Sequence, residues 1–204
     1  MKKLLVFVCA LSCMLLTAGV ATADSINGRV GLTGRFGFQV PADSESRYYG
    51  TIETDAGFIG GGGLILGLPN NFALEFDATY TSYEGDVWGY NFADFDTTNL
   101  SFGLQYRFAN LPVRQLVPYV GGGVDVLLND TTDTTGFKAD VETVVGGHVS
   151  GGVDYFLSRN FALTAEVKAV FAPEADIKDQ SGTVLGKYDP THFSTTFGFR
   201  VFFN

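Results

Sequence analysis

Apolar and polar residues alternate strictly in the stretch NNFALEFDATY, residues 70–80. The apolar positions are Phe72, Leu74, Phe76, Ala78 and Tyr80. The intervening positions carry Glu75 and Asp77. Because successive side chains of a β-strand point to opposite faces, this period of two predicts a strand with one apolar and one polar face. The tetrapeptide NFAL recurs in residues 159–171, where Glu166 and Lys168 again lie opposite an apolar series.

The same alternation recurs along the chain and predicts eight strands in an all-β fold. The predicted strands are about Ile26–Val40, Ala56–Leu68, Asn70–Tyr80, Asn99–Phe108, Pro118–Leu128, Val141–Phe156, Arg159–Phe171 and Thr191–Phe203. The composition, with 26 glycines, 19 phenylalanines and 9 tyrosines but 6 prolines, fits many twisted strands better than helices.

The predicted connections alternate between short turns and long polar loops. The shorter ones are LPNN at residues 68–71, ANLPVRQLV at 109–117 and LSRN at 157–160. The long ones cover about residues 41–55, 82–98, 129–140 and 172–190. The third and fourth contain TTDTTG and APEADIKDQSG, and we expect these two to be mobile and solvated. This layout is typical of an eight-stranded antiparallel up-and-down transmembrane β-barrel with short periplasmic turns and longer extracellular loops. An even number of strands places both termini at the short-turn end.

Charged residues lie on the polar face of the predicted strands. The basic set is Arg29, Arg35, Arg107, Lys168 and Arg200, and the acidic set is Glu75, Asp77, Asp125, Asp154 and Glu166. The lumen of an eight-stranded barrel is narrow enough to be filled by side chains, and buried charges must be paired there. Five cations and five anions therefore favour a plugged lumen, in which Glu75 and Arg107 are predicted to pair. The alternative is an exported soluble β-sandwich, whose polar face would be its surface.

The first 23 residues have the features of a cleaved secretory signal peptide. Two lysines precede a short apolar run, and small residues favour cleavage after Ala23. Both cysteines lie in this segment, so the predicted mature domain, residues 24–204, contains none. Without Lys2 and Lys3 the chain has eleven basic and 22 acidic residues, a net charge of −11. This charge argues against nucleic acid as a partner.

Two histidine–serine pairs raise an enzymatic alternative. His148 with Ser150 and His192 with Ser194 could serve nucleophilic attack together with Glu166. These residues share the lumen parity, however, whereas the substrate of an outer-leaflet lipid-modifying enzyme lies outside the barrel. We therefore expect no enzymatic activity and no cofactor. Two histidines without a nearby third ligand make a poor metal site, and the glycine runs lack the lysine and helix of a phosphate loop.

The long loops carry two further candidate features. In YEGDVWGYNFADFD, residues 83–96, the aromatic residues Trp88, Tyr90, Phe92 and Phe95 form a candidate binding patch. The alternative is that these rings pack at the outer-leaflet interface. The loops are also rich in acids, from which we expect weak, multi-site binding of divalent cations at the lipopolysaccharide surface. The alternative is an acidic surface that serves solubility and steric cover alone.

Several segments resemble known barrel proteins. NLSFGLQYRF at 99–108, VPYVGGGVDV at 117–126 and SGGVDYFLSRNFALTAEVKAVF at 150–171 are similar to OmpW-type strands and turns. As a pattern, the chain resembles the OmpA-like, OmpX-like and OmpW-like outer-membrane barrels of Gram-negative bacteria. The ending TFGFRVFF resembles the signal read by the barrel-assembly machinery. Its matching residues are Thr196, Gly198, Val201 and Phe203. No segment resembles the peptidoglycan-binding domain of full-length OmpA proteins.

The resemblance implies an integral outer-membrane protein in contact with lipid and lipopolysaccharide. Its expected role is structural maintenance of the envelope or narrow passage of small solutes. An OmpW-like role implies small or apolar solutes that enter from outside and leave laterally. The alternatives are adhesion through the surface loops and, less favoured, a lipid-modifying enzyme.

Overall fold

The computed structural model describes residues 26–42, 44–46, 50–54, 56–87, 90–109, 111–113, 115–133, 138–141, 143–178 and 184–203. The strands are β1 (Val30–Pro41), β2 (Ser44–Ser46), β3 (Gly50–Thr54), β4 (Gly57–Gly67), β5 (Phe72–Val87), β6 (Tyr90–Arg107), β7 (Leu116–Asp133), β8 (Lys138–Val141), β9 (Val144–Ser158), β10 (Phe161–Phe171), β11 (Ala175–Lys178), β12 (Val184–Tyr188) and β13 (His192–Phe203). No helix in these residues is long and apolar enough to cross a membrane. The predicted signal peptide, residues 1–23, lies outside the described residues.

Eight of the described strands close into a barrel. Each pairs antiparallel with both of its neighbours in the order β1–β4–β5–β6–β7–β9–β10–β13, and β13 returns to β1. The first and last strands meet with Val30 opposite Phe203, so both ends of the described chain lie at the same end of the barrel. A closed ring satisfies the backbone donors and acceptors of every strand, which is the condition for a sheet in lipid. The predicted eight-stranded antiparallel barrel is confirmed.

Short connections lie at the end of the barrel where the described chain begins and finishes. Between β4 and β5, Asn70 and Asn71 have φ angles of 61° and 65°, a left-handed conformation in which asparagine is several-fold enriched. Between β9 and β10, Asn160 binds the last strand through both its side chain and its backbone. The Asn160 Nδ2 donates to the Phe202 carbonyl at 2.7 Å. In return, the Phe202 amide donates to the Asn160 carbonyl at 2.8 Å. This turn therefore holds the C-terminal strand in register.

The four long connections contain more strand than the sequence pattern predicts. β5 and β6 stay paired to Val87 and Tyr90, and β7 pairs with β8 beyond Asn129. The strands β2, β3, β11 and β12 lie within the first and fourth predicted loops, and they pair with one another and with β5 and β8. The prediction that these segments are loops is therefore wrong where they form strands. Outside a bilayer neither face of a strand has to be apolar, so hydrophobic alternation fades while backbone pairing continues.

The outer face of the barrel is apolar and exposed on all eight barrel strands. Examples are Leu32, Phe36, Phe58, Leu64, Phe76, Phe102, Leu104, Val120, Val124, Val145, Val149, Leu163, Val167, Phe193, Phe197 and Phe199. An exposed apolar surface of this extent is rare on proteins surrounded by water and is what a lipid-facing band requires. The apolar face of each predicted strand therefore points outward.

The inside of the barrel is filled by three layers of side chains. At the short-turn end lies an apolar layer of Ile26, Ile65, Ala73, Val117, Phe156, Ala162 and Phe202. Ile26 reaches this layer because the chain turns across the barrel mouth, where the Gly28 amide donates to the Gly67 carbonyl at 2.9 Å. The middle layer contains the charged residues. The layer toward the long connections is mainly neutral and polar, with buried Gln39, Thr79, Thr81, Thr97, Asn99, Asn129, Ser194 and Thr196.

Candidate functional site: the ion-pair network of the lumen

Arg35 of β1 is the centre of the first group of ion pairs. Its Nη1 lies 2.7 Å from Glu166 Oε1 on β10. Its Nη2 lies 2.8 Å from Glu75 Oε1 and 3.1 Å from Asp77 Oδ2, both on β5. Neither β5 nor β10 is a hydrogen-bonded neighbour of β1, so these bonds cross the lumen. The guanidinium of Arg35 thereby connects three strands of the barrel, β1, β5 and β10.

Arg200 and Arg107 extend this group toward the short-turn end. Arg200 Nη1 lies 2.8 Å from Asp154 Oδ2, and Arg200 Nη2 lies 2.7 Å from Glu75 Oε1. Arg107 Nη2 lies 2.5 Å from the same oxygen of Asp154. Both guanidinium groups also lie over the ring of Tyr119, at 4.9 Å for Arg200 and 5.5 Å for Arg107. A cation over an aromatic face is an attractive contact, and it is stronger where water is excluded.

The predicted direct pair between Glu75 and Arg107 is wrong. Arg107 binds the carboxylate of Asp154, and Gln105 lies between Arg107 and Glu75. Gln105 accepts a hydrogen bond from Arg107 Nη1 at 3.4 Å and donates through Nε2 to Glu75 Oε2. The reason is register, because Glu75 lies opposite Gly103, four residues along β6 from Arg107.

A second cluster is centred on Asp125 of β7, which has no solvent exposure. Its Oδ2 lies 2.5 Å from His148 Nδ1 on β9, and its Oδ1 lies 2.8 Å from Lys168 Nζ on β10. Ser101 and Asn99 of β6 donate to Oδ1 at 2.5 and 3.0 Å. One carboxylate therefore ties four consecutive barrel strands together.

Arg29, just before the first residue of β1, lies at the short-turn end of the barrel. It is partly exposed at the short-turn end, where Nη1 donates to the Arg159 carbonyl at 2.7 Å. Its guanidinium lies 5.3 Å from the centre of the Phe202 ring. The structure thus brings nine of the ten predicted charged residues into two clusters and places Arg29 at the rim.

Tyr119 and Gln105 belong to the network although the sequence does not single them out as site residues. The Tyr119 hydroxyl donates to Glu166 Oε2 at 3.0 Å, which links the Arg200 side of the network to the Arg35 side. Both residues lie on the polar, lumen-facing side of a predicted strand. This position is the signal that the sequence offers, and it does not distinguish members of the network from other lumen residues.

Two water-sized cavities lie among these side chains. Each has a volume of about 10 Å³, which is close to the minimum for one water molecule. The first is lined by residues that include Glu75, Ser101, His148 and Ser150, the second by residues that include Thr79, Asn99, His192 and Ser194, and Asp77, Glu166 and Lys168 line both. The cavities therefore adjoin and extend from the charged layer toward the neutral polar layer.

The two histidine–serine pairs face the lumen, as their parity predicts. His148 binds Asp125, and His192 Nδ1 lies 2.8 Å from the Pro190 carbonyl. Both histidines line lumen cavities, away from the lipid-facing surface. No group of three or more potential metal-binding residues occurs within the described part of the chain.

The candidate loop patch and the candidate assembly signal are the two remaining predicted sites. In the candidate loop patch, Trp88 and the side chains of Tyr90, Phe92 and Phe95 lie outside the described residues. In the candidate assembly signal, Thr196 is buried in the lumen, Gly198 lies opposite Arg35 and Phe203 points outward, about half exposed, on the parity of Val201.

Comparisons with known proteins identify the fold. No known protein family and no curated protein matches the sequence. OprG of Pseudomonas aeruginosa, an outer membrane protein, is 19% identical with a TM-score of 0.67 over 87% of this chain and 97% of that chain. Neisserial surface protein A is 20% identical with a TM-score of 0.56 over 87% and 98% of the two chains. The outer membrane protein AlkL is 18% identical with a TM-score of 0.58 over 92% and 93%. The chain has the fold of a small outer-membrane β-barrel.

Proposed function

We propose that the chain is an integral outer-membrane protein with a structural role in the envelope of a Gram-negative bacterium. The observation that carries this proposal is the set of ion pairs made by Arg35, which crosses the lumen to two strands that are not hydrogen-bonded neighbours of β1. The apolar exterior supports a position in lipid, and the fold shared with OprG and AlkL supports the outer membrane as that lipid phase. A lumen filled in this way does not carry bulk flow.

Conductance of the refolded protein in planar bilayers tests the closed lumen. We expect no large, steady current at neutral pH. Replacing Arg35 with alanine removes the cation shared by Glu75, Asp77 and Glu166, so R35A is expected to show a small cation-selective leak. The matched control is R159A, which replaces an exposed arginine at a turn and is expected to behave like the wild type. A large steady pore in the wild type contradicts the proposal.

Narrow passage of small solutes is the second candidate function. The observation that favours it is the pair of adjoining cavities that share Asp77, Glu166 and Lys168. Each cavity has room for about one water molecule, and we propose that a solute path from the long-loop end would begin at these cavities. Passage beyond that layer requires rearrangement of the ion pairs between Arg107, Asp154 and Arg200. Swelling of liposomes that contain the protein, measured with solutes of increasing size, separates passage from a purely structural role.

The proposed partners are those of a barrel in the outer membrane. Lipid and lipopolysaccharide would contact the outward apolar band, and the barrel-assembly machinery would read the last strand. Weak divalent-cation binding by the acidic loop residues remains part of this proposal. We propose no enzymatic role, because the candidate residues His148 and His192 face the lumen rather than lipid.

A further inference from the structure

Three side chains that line one lumen cavity each have a buried polar atom without a hydrogen-bond partner among the described residues. The atoms are Arg35 Nε, Asp77 Oδ1 and Asn99 Oδ1. The three residues are 8%, 5% and 5% exposed, and they lie on β1, β5 and β6. Because a buried polar atom without a partner costs free energy, we expect a partner for these atoms inside the cavity.

The other polar atoms of these side chains are already held in place. Both Nη atoms of Arg35 bind carboxylates across the lumen, and Asp77 Oδ2 lies 3.1 Å from Arg35 Nη2. Asn99 Nδ2 donates to Asp125 Oδ1 at 3.0 Å. Because a carboxylate oxygen accepts, this contact fixes the orientation of the amide and of its Oδ1. Turning any of the three side chains toward another protein partner would therefore break an existing contact.

The cavity has the size and the chemistry of a site for one water molecule. Its volume is about 10 Å³, close to the minimum for one water, and a buried water makes about two to four hydrogen bonds. A water molecule accepts from the Arg35 N–H and donates to the oxygens of Asp77 and Asn99. If Asp77 carries a proton on Oδ1, the water accepts that proton's hydrogen bond instead. The match therefore holds for either state of the carboxyl group.

We propose that this cavity is the binding site of one ordered water molecule that bridges Arg35, Asp77 and Asn99. The water links β1, β5 and β6 and joins the charged layer of the lumen to the neutral polar layer. A metal cation fits poorly, because it cannot accept the Arg35 N–H and because the ammonium-bearing Lys168 also lines the cavity. The inference concerns the packing of the lumen and holds whether or not the barrel passes solutes.

Ile59 allows the water to be detected directly, because this residue is buried and lines the cavity. In rotating-frame Overhauser spectra of the refolded protein labelled at isoleucine methyl groups, we expect a cross-peak between Ile59 and water. Ile65 is the internal control, because it lies fully buried in the apolar layer and is expected to show no such cross-peak. The I59V and I65V variants assign the two signals. Absence of the Ile59 cross-peak in the wild type overturns the proposal.

Ser194 lines the same cavity and separates bound water from empty space. S194V fills the space with methyl groups, whereas S194A removes the hydroxyl and leaves the space. We expect S194V to lose the Ile59 cross-peak and to unfold at a lower temperature than S194A, because the displaced water leaves its three partners unpaired. A higher unfolding temperature for S194V than for S194A, as filling an empty cavity gives, rejects the water. A cross-peak that persists in S194V also rejects it, because a protein hydroxyl then carries the signal.

A change of salt separates bound water from a bound cation. The difference in unfolding temperature between S194A and S194V is expected to be the same in sodium chloride and in choline chloride at equal ionic strength. Choline is too large for the cavity. A difference that disappears in choline chloride therefore assigns the cavity to a metal cation and overturns the proposal.

Discussion

Arg200 and Asp154 form an ion pair in which neither side chain has any solvent exposure, with Nη1 lying 2.8 Å from Oδ2. A buried pair of this kind gains its stability from the partners around it, because removing two charges from water is itself costly. Here the partners are Arg107 on the same oxygen of Asp154 and Glu75 on the other side of Arg200. The pair is therefore one link in a network, and its loss leaves two arginines without their shared anion.

Replacing Asp154 with alanine is expected to destabilise the barrel by about 3–5 kcal/mol, the usual cost of breaking a buried ion pair. Chemical unfolding of the protein refolded in bilayers, followed by circular dichroism, measures this change. The control is E174Q, which neutralises an exposed carboxylate near the long-connection end. Its expected effect is within about 1 kcal/mol. Equal stability of the two variants would show that the network contributes nothing to folding.

The fold follows from the sequence because one physical signal repeats eight times. A strand between lipid and a packed lumen has an apolar side and a polar side, and Phe197 and Ser194 illustrate the two sides of β13. The signal disappears where both sides meet water. For this reason the sequence does not predict β11 and β12, although their backbones pair with Ala175 opposite Tyr188.

The charged lumen residues also follow from parity, but their pairing does not. The alternation of polar and apolar residues predicts that Glu75 and Arg107 point inward. It contains no information about the stagger between strands. The stagger decides that Arg107 meets Asp154, 47 positions away, and that Arg35 meets Glu166, 131 positions away. The sequence therefore predicts which residues face the lumen. To predict which of them pair, the register of the strands in the closed barrel is needed.

Two consecutive glycines on β9 provide a test of lumen packing. Gly152 points inward, and a Cβ atom there would clash with the hydroxyl and Cζ of Tyr119 and lie 2.6 Å from the Ala165 carbonyl. Gly151 points outward, and a Cβ there would lie no closer than 3.9 Å to the Tyr119 carbonyl. G152A is expected to lower stability by about 1–3 kcal/mol through overpacking.

G151A is the matched control, with an expected effect within about 0.5 kcal/mol. Thermal unfolding of both variants in the same detergent measures the difference. If the two variants have the same midpoint, Tyr119 and the two arginines that lie over it are not packed as tightly as the structure shows.

The outward face of β13 allows the depth of the bilayer to be measured with one residue type. Phe193 and Phe197 are 49% and 51% exposed and share the lipid-facing parity, but Phe193 is the second residue of the strand and Phe197 the sixth. An arginine near the bilayer midplane of a barrel costs about 2–4 kcal/mol, and the cost falls to about 0–1 kcal/mol near the interface. F197R is therefore expected to reduce folding stability in bilayers well below that of F193R, with F197L as the control for the loss of the ring. The free energy of unfolding from lipid vesicles is the quantity to compare. If F197R and F193R are equally stable, the middle of β13 does not lie at the middle of the membrane.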